Sequence, residues 1–224
     1  KNGGKIIFTE SPLKSSTEII NKSFSYIFDS KLQKFLSTKN KSNLLNDTLK
    51  SLKRAENLNA LIIGDAIIDQ YDSVTPLNKP PKESILATRY NKSDIFLGGV
   101  FAAATNLSQF NTNVEICTVI GKDVDIKKKV NNFAKRIKSK IFIEKDKVTV
   151  RKKRFVEEGY NKKLSEVYYI DDNFLSTLNF KKINQYLNKN LHRFDVVIVI
   201  DYGHGLINQE IYKTLLKKSK FLAI

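Results

Sequence analysis

The sequence predicts an α/β domain built on a parallel sheet over residues 60–224, and two observations lead to this prediction. Short apolar, β-branched runs such as Val196–Ile200 are typical of strands that helices cover on both faces. Segments with helical spacing of apolar residues separate these runs, so strands and helices alternate. The 224 residues, 41% of them hydrophobic, are enough for a packed core.

The composition narrows the class of protein. A net charge of +16 attracts anions such as nucleotides and sugar phosphates. The lysines are spread along the whole length, and their aromatic neighbours have core spacing, so nucleic acid is not the expected partner. No apolar run reaches the roughly 18 residues of a membrane span, and the polar start is unlike a signal peptide. We therefore expect a cytoplasmic protein in which Cys117 is a buried small hydrophobe.

Residues 1–36 differ from the rest. Hydroxyl side chains at Ser15, Ser16 and Thr17 precede the apolar pair Ile19 and Ile20. This arrangement suits a helix N-cap, and a helix N-terminus with free amides is also a phosphate site. Both interpretations stay open. Residues 37–58 are polar and lysine-rich with leucines at helical spacing, which predicts a linker helix.

The first strand of the sheet is predicted over Ala60–Ile63 and runs into the sequence GDAIIDQY. Asp65 and Asp69 are thereby expected near the crevice at the carboxyl ends of the strands, where ligands bind in open α/β sheets. Alternatively, Asp65 is a helix cap and Asp69 is merely exposed. Prolines then mark a loop, and the alternating segment Ser84–Phe96 predicts one or two strands.

Gly98 and Gly99 open an alanine-rich helix predicted over Val100–Phe110. Paired glycines allow backbone amides to approach a ligand, although this pair lacks the GxGxxG spacing of a dinucleotide site. The following elements are predicted from the same apolar patterns: a strand at Val114–Ile120, a helix that includes Val130 and Ile137, and a short strand at Ile141–Ile143.

A basic segment, Val148–Val156, alternates like a strand and carries Arg151, Lys152, Lys153 and Arg154. It is either a solvated edge strand, where lysines oppose aggregation, or a basic flap over an anionic substrate. With the segment near 84–96, it predicts a small β flap beside the sheet. A strand over Glu166–Asp172 and a helix over Phe180–Leu191 are predicted next.

The final predicted strand, Val196–Ile200, ends abruptly at Asp201, and Gly203 and Gly205 follow at once. A carboxylate at this edge, beside two glycines, is a candidate ligand site. The alternative is that Asp201 only caps the next turn. A helix over Asn208–Lys218 and a strand from Phe221 complete the chain.

Taken in order, the segments GDAIIDQY, PPKE, LGGVFAAATNL, TVIG, TVRKKRF and DYGHGLI resemble the ribokinase-like (PfkB) carbohydrate kinases over about residues 58–224. The resemblance is to the heptose-phosphate kinase branch of bifunctional ADP-heptose synthesis enzymes. Residues 15–20, SSTEII, resemble a motif near the end of cytidylyltransferase-like nucleotidyltransferases, where it contacts nucleotide phosphates. The implied domains are a nucleotidyltransferase tail at 1–36, the linker helix at 37–58 and the first part of a kinase at 59–224.

This resemblance implies a Rossmann-like αβα sandwich with a small β lid, and transfer of the γ-phosphate of ATP to a sugar hydroxyl with Mg²⁺. It also implies dimers formed through the lid. It implies that Asp65 and Asp69 bind sugar hydroxyls and that Gly98 and Gly99 line the sugar pocket. It also implies that a substrate phosphate is bound by Arg151 and Arg154, and that phosphates and metal lie near Asp201, Gly203 and Gly205. In the nucleotidyltransferase tail, it implies that nucleotide phosphates are bound by Ser15, Ser16 and Thr17.

The chain departs from the family pattern in three places. Ala102 and Ala103 stand where the family carries an asparagine, and His204, expected to be a loop histidine, replaces a lysine of the family's DYGKG loop. The GxGD motif with the catalytic base would lie beyond Ile224. We therefore expect a kinase truncated at its C-terminus and inactive by itself. The alternative is a non-catalytic, kinase-like module that binds a sugar nucleotide or regulates a partner domain.

Overall fold

The computed structural model describes residues 34–35, 37, 41–77, 85–171 and 175–224. The chain divides into two units, residues 1–51 and residues 52–224. The residues Ser15, Ser16 and Thr17 lie outside the described part, so the nucleotidyltransferase tail stays a prediction.

The described part of the first unit contains most of helix α1 (Lys41–Ala55), whose last turn belongs to the second unit. Within the first unit, the Thr48 hydroxyl donates to the carbonyl oxygen of Leu44, four residues back. In the last turn, Lys53 and Arg54 place positive charge at the negative end of the helix dipole. A helix thus lies within residues 37–58, as predicted, while the domain boundaries remain a prediction.

The described part of the second unit contains nine strands and four further α-helices. The strands are β1 (Asn59–Gly64), β2 (Ala66–Pro76), β3 (Thr88–Gly99), β4 (Asn113–Ile120), β5 (Lys138–Ile143), β6 (Val150–Glu157), β7 (Lys162–Tyr169), β8 (Val196–Ile200) and β9 (Leu222–Ala223). The helices are α2 (Val100–Leu107), α3 (Lys127–Ala134), α4 (Thr177–Asn190) and α5 (Gln209–Lys218), with a 3₁₀ turn at Leu191–Arg193. None of these helices is long and apolar enough to cross a membrane.

Five of the strands form a parallel sheet in the order β5-β4-β1-β8-β9. The central strand β1 is buried on both faces because its apolar side chains alternate between two cores. Leu61 and Ile63 pack with α4 and α5 on one face, and Ile62 packs with α2 and α3 on the other. The predicted αβα sandwich is confirmed.

The remaining strands form a separate four-stranded sheet in the order β3-β2-β6-β7. This sheet is the predicted small β flap, called the lid below. Its strand β6 pairs with β2 on one side and β7 on the other, so the edge-strand interpretation of the basic segment is wrong. Strand β7 begins at Lys162, earlier than predicted, because the tight loop at 158–161 turns the chain back with positive φ angles at Gly159 and Asn161.

Local hydrogen bonds explain where three helices differ from their predicted bounds. Helix α4 starts before Phe180 because the Ser176 hydroxyl accepts a hydrogen bond from the Asn179 amide as its N-cap. Helix α2 stops at Leu107, short of Phe110, where the Phe110 amide bonds only three residues back. Helix α3 ends before Ile137, which is buried in a short connection to β5.

Candidate functional site

The candidate site lies at the carboxyl edge of the parallel sheet, where β1 and β8 end side by side. The Asp65 amide donates to the carbonyl oxygen of Ile200 at 2.9 Å, and the Val100 amide donates to that of Asp65 at 3.0 Å. Gly64 permits this approach, since a Cβ there would lie 2.0 Å from the Ile200 oxygen. Two strand ends and the start of α2 are thereby joined at Asp65.

The Asp65 carboxylate holds the loop that follows β8. It is 4% exposed, and its Oδ2 accepts hydrogen bonds from the backbone amides of Tyr202 at 2.7 Å and His204 at 3.4 Å. Burial raises the pKa of Asp65 more than these two bonds lower it. Strand β2, and not a helix, follows Asp65, so the helix-cap alternative for this residue is wrong.

Asp69 lies on β2 within the lid, opposite Lys152 of β6. Its Oδ1 accepts a hydrogen bond from Nη1 of Arg154 at 2.6 Å, and Nε of Arg154 donates to Oε1 of Glu166 at 2.9 Å. The guanidinium also stacks on the Tyr71 ring at 5.2 Å. The hydrogen bond to Asp69, followed by the bond to Glu166, raises the pKa of Arg154 despite partial burial. One arginine on β6 therefore bridges two carboxylates from the strands on either side of it.

The two glycines before α2 have separate packing reasons. A Cβ at Gly98 would lie 2.3 Å from Oδ2 of Asp69, so glycine leaves room for that carboxylate. Gly99 has a φ of +56°, and a Cβ there would lie 2.3 Å from the carbonyl oxygen of Asp65. Both glycines are thus beside the two predicted carboxylates, although the signal from GG alone was weak.

Arg151 is the one predicted lid residue that the structure places apart. Residues three apart in a strand face opposite sides of a sheet, so Arg151 lies on the face away from Arg154. Its guanidinium contacts Asp125 at 2.7 Å and donates to Oε1 of Gln70 at 3.1 Å. Only Arg154 of this pair joins Asp69.

Lys152 shares the face of Arg154, and sequence analysis did not single it out. Its ammonium nitrogen lies 5.8 Å from the ring centroids of both Tyr168 and Tyr202. Tyr168 belongs to the lid, and Tyr202 belongs to the loop after β8, so this lysine connects the two. Alternation along β6 could have paired positions 152 and 154, but the inward face could not be identified without knowing the strand neighbours.

The loop after β8 presents an exposed carboxylate. Oδ1 of Asp201 accepts a hydrogen bond from the Gly203 amide at 2.9 Å, which is the turn-capping arrangement foreseen as an alternative. Gly203 and Gly205 have φ angles of +80° and +86°, which favour glycine. Below this loop, Asp65 and His204 line a cavity of about 40 Å³. Within the described ranges, no three acidic, histidine or cysteine side chains cluster as a metal site.

Comparison with known proteins supports the predicted resemblance. No known family model matches the chain. The chain is 26% identical over 161 residues to the bifunctional protein HldE of Aliarcobacter butzleri, covering 70% of this chain and 33% of that protein. It is 25% identical over 161 residues to HldE of Helicobacter pylori, covering 70% and 34%. The chain thus spans about a third of the length of these curated relatives.

Solved structures with a similar fold include phosphofructokinase-2 from Escherichia coli in complex with fructose-6-phosphate. The TM-score is 0.55 at 10% identity, with 75% of this chain and 54% of that chain covered. The tetrameric inhibited form of the same enzyme gives a TM-score of 0.56 at 9% identity, with 74% and 53% covered. The chain therefore has the fold of the ribokinase-like carbohydrate kinases and is similar in sequence to bifunctional HldE proteins.

Proposed function

We propose that this chain contains the sugar-binding edge and the lid of an ATP-dependent kinase for a sugar or sugar phosphate of the heptose-phosphate type. The parent protein would be a bifunctional kinase and nucleotidyltransferase that makes activated sugars. The carrying observation is that Asp69 and Arg154, both on the lid, meet beside Gly98 at the carboxyl edge of the sheet. A site for a phosphorylated sugar needs a hydrogen-bond acceptor for the sugar hydroxyls and a hydrogen-bond donor for the phosphate.

The two aspartates would divide the work of binding. Asp69 is the proposed acceptor for sugar hydroxyls, because its side chain remains 27% exposed and Gly98 leaves room for its Oδ2. Asp65 is nearly buried and already accepts two amides, so we assign it mainly to positioning the loop at 201–205. Arg154 is the proposed hydrogen-bond donor to the phosphate group of the substrate, since a guanidinium fork matches phosphate oxygens.

The loop after β8 is the proposed binding place for Mg²⁺ and the phosphates of ATP. Magnesium is commonly held by one or two carboxylates together with substrate phosphates, and Asp201 offers one exposed carboxylate at the sheet edge. Mg²⁺ bound there would neutralise charge on the phosphates of ATP, which is a large part of phosphoryl-transfer catalysis. Gly203 and Gly205 would let the backbone approach those phosphates. Association of two chains through their lids stays a prediction.

A second candidate is a non-catalytic module that binds a sugar nucleotide. The observation that favours it is the pair Ala102 and Ala103, which replaces the asparagine expected from the resemblance. Asn106 does not compensate, because it is exposed in the last turn of α2.

The test is an ADP-release assay on the full-length protein with ATP, Mg²⁺ and a panel of hexoses, heptoses and their phosphates. We expect substrate-dependent ADP that falls at least about 100-fold in Asp69→Ala, because the hydroxyl acceptor is lost. Asp94→Ala is the matched control, since Asp94 is an exposed lid carboxylate paired only with Lys92 among the described residues. Absence of turnover, with sugar nucleotides still raising the Tm, would favour the non-catalytic module.

A further inference from the structure

A second polar cavity lies at the opposite end of the parallel sheet, where β1, β4 and β5 begin. Its volume is about 420 Å³, which is within the usual range of small-molecule sites. Three cationic side chains line it from three separate positions: Arg136 after α3, Lys138 at the start of β5 and Arg193 in the 3₁₀ turn before β8. The proposed kinase residues all lie at the other edge of this sheet.

One carboxylate, that of Glu115, faces these three cations. It is 6% exposed, and its Oε2 accepts from Nη2 of Arg193 at 2.7 Å and lies 3.3 Å from Nζ of Lys138. Its Oε1 accepts from the Tyr186 hydroxyl. Burial, and next the bond to Glu115, raise the pKa of Tyr186, so this phenol remains a neutral donor. Both oxygens of the carboxylate are therefore already used by the protein.

The cavity keeps an excess of positive charge. Glu115 offsets one of the three cations, and the neighbouring carboxylate of Asp195 is bound to Lys220 at 2.9 Å and to the Asn59 amide at 3.0 Å. Among the described residues, the exposed Arg136 guanidinium has no hydrogen-bond or ion-pair partner, so it is available to an anion in the cavity.

We propose that this cavity is an anion site that binds the phosphate groups of a small molecule. The geometry fits that class: guanidinium groups form paired hydrogen bonds to phosphate oxygens, and a concave site lined from three positions suits a compact anion better than an extended polymer. Asn113 and Thr112 add polar groups on the rim for the rest of such a ligand. The site is independent of the proposed kinase function and is separated from it by the length of the sheet.

The test is isothermal titration calorimetry of the 224-residue chain with inorganic pyrophosphate at an ionic strength of about 0.15 M, which screens exposed charges beyond about 8 Å. We expect Arg136→Ala to weaken binding about tenfold, the size of one lost charge-assisted hydrogen bond. Lys135→Ala is the matched control: Lys135 is the preceding residue and is also exposed, and its substitution removes the same charge, but it does not line the cavity. It should change the affinity by less than about twofold, because exposed charges act weakly at a distance.

A second variant tests the same site by a gain of binding. Glu115→Gln keeps an acceptor for Tyr186 and removes the one carboxylate in the cavity, so it should tighten pyrophosphate binding. Equal losses in Arg136→Ala and Lys135→Ala would overturn the proposal in favour of general charge attraction. Loss of binding in Arg154→Ala alone would place the anion at the lid and also overturn it, as would no binding at all. If short duplex DNA displaced pyrophosphate from the wild type, and Arg136→Ala weakened the binding of that DNA, the surface would be assigned to nucleic acid instead.

Discussion

Asp65 and Asp69 are four residues apart, yet their surroundings give them different properties. Asp65 follows the central strand directly and is buried against the loop at 201–205, whereas Asp69 lies inside a lid strand and is partly exposed. The sequence predicted that both would lie near the same crevice. It could not predict which one would be sequestered, because the amides that bind Asp65 are 137 and 139 residues away.

The buried carboxyl of Asp65 should leave a signature in the pH dependence of stability. Burial raises its folded-state pKa above the value of about 3.9 in an unfolded chain, so the folded state binds this proton more readily. Its favourable contribution is complete below the unfolded pKa and is lost as pH rises through the folded pKa. We expect the free energy of unfolding of the wild type, minus that of Asp65→Asn, to fall across this window.

Urea unfolding of both proteins from pH 3 to pH 7 provides the measurement. Taking the difference between the two proteins cancels the titration of other groups. A difference that stays level or grows with pH would contradict the raised pKa.

The lid is the element whose charges the sequence could least explain. Four consecutive basic residues in β6 were compatible with a solvated edge strand or with a basic flap, and the structure places β6 inside the flap, between β2 and β7. Acidic side chains neutralise this strand on both faces: Asp72 binds Lys153 at 2.8 Å on one face, and Asp69 binds Arg154 on the other. The partners are more than 80 residues away in sequence, so no local pattern could reveal them.

Lys153 should contribute to the stability of the lid through Asp72. Burial raises the pKa of Asp72, but hydrogen bonds from Lys153, Ser93 and Gln70 outweigh it, and the net pKa is lowered. The stabilisation is therefore present above the unfolded pKa of about 3.9 and is lost as pH falls through the folded value. We expect Lys153→Met to lower the free energy of unfolding by about 1–3 kcal/mol at pH 7.

Chemical denaturation at pH 7 and pH 2.5 checks this expectation, and the loss should be smaller at the lower pH. Lys162→Met serves as the control, because Lys162 is exposed at the start of β7 and should cost less than about 0.5 kcal/mol. If both lysine variants lowered the free energy of unfolding by the same amount, the ion pair between Lys153 and Asp72 would not stabilise the lid.

The parallel sheet, in contrast, was predictable. Runs such as Val196–Ile200 predict a strand that is covered on both faces, and the structure buries one face of β8 and partly buries the other. The bounds of β8 were predicted as observed, while the short strand at Ile141–Ile143 was predicted too short because Lys138 and Lys140 obscured its start. Order within the sheet depends on pairing between distant segments, which a single sequence does not record.

At the scale of the whole molecule, the junction of β1 and β8 joins the two cores. Strand β1 contributes Leu61 and Ile63 to one core and Ile62 to the other, and its last residue, Gly64, contacts the backbone of Ile200. An added Cβ would collide with backbone atoms, which cannot rotate away as a side chain can. We expect Gly64→Ala to lower the free energy of unfolding by more than about 3 kcal/mol.

Thermal unfolding monitored by circular dichroism compares this variant with Gly159→Ala. Gly159 has a positive φ of +98° but no atom within 4 Å of an added Cβ, so only backbone strain, about 1 kcal/mol, applies there. A Gly64→Ala protein as stable as Gly159→Ala would mean that the sheet can separate at this junction without consequence.

The bridge formed by Arg154 between Asp69 and Glu166 also bears on selectivity. In this arrangement the proposed acceptor for sugar hydroxyls, Asp69, and the proposed hydrogen-bond donor to the substrate phosphate, Arg154, are bound to each other. Binding of the proposed substrate would therefore exchange these partners rather than fill vacant groups. A neutral sugar could bind to Asp69 only by displacing Arg154, which would leave that guanidinium with one carboxylate fewer. A sugar phosphate would bind to Asp69 through a hydroxyl and to Arg154 through its phosphate, so the guanidinium would again be paired with an anion. The same ion pair would thus reject the uncharged competitor before any chemistry began.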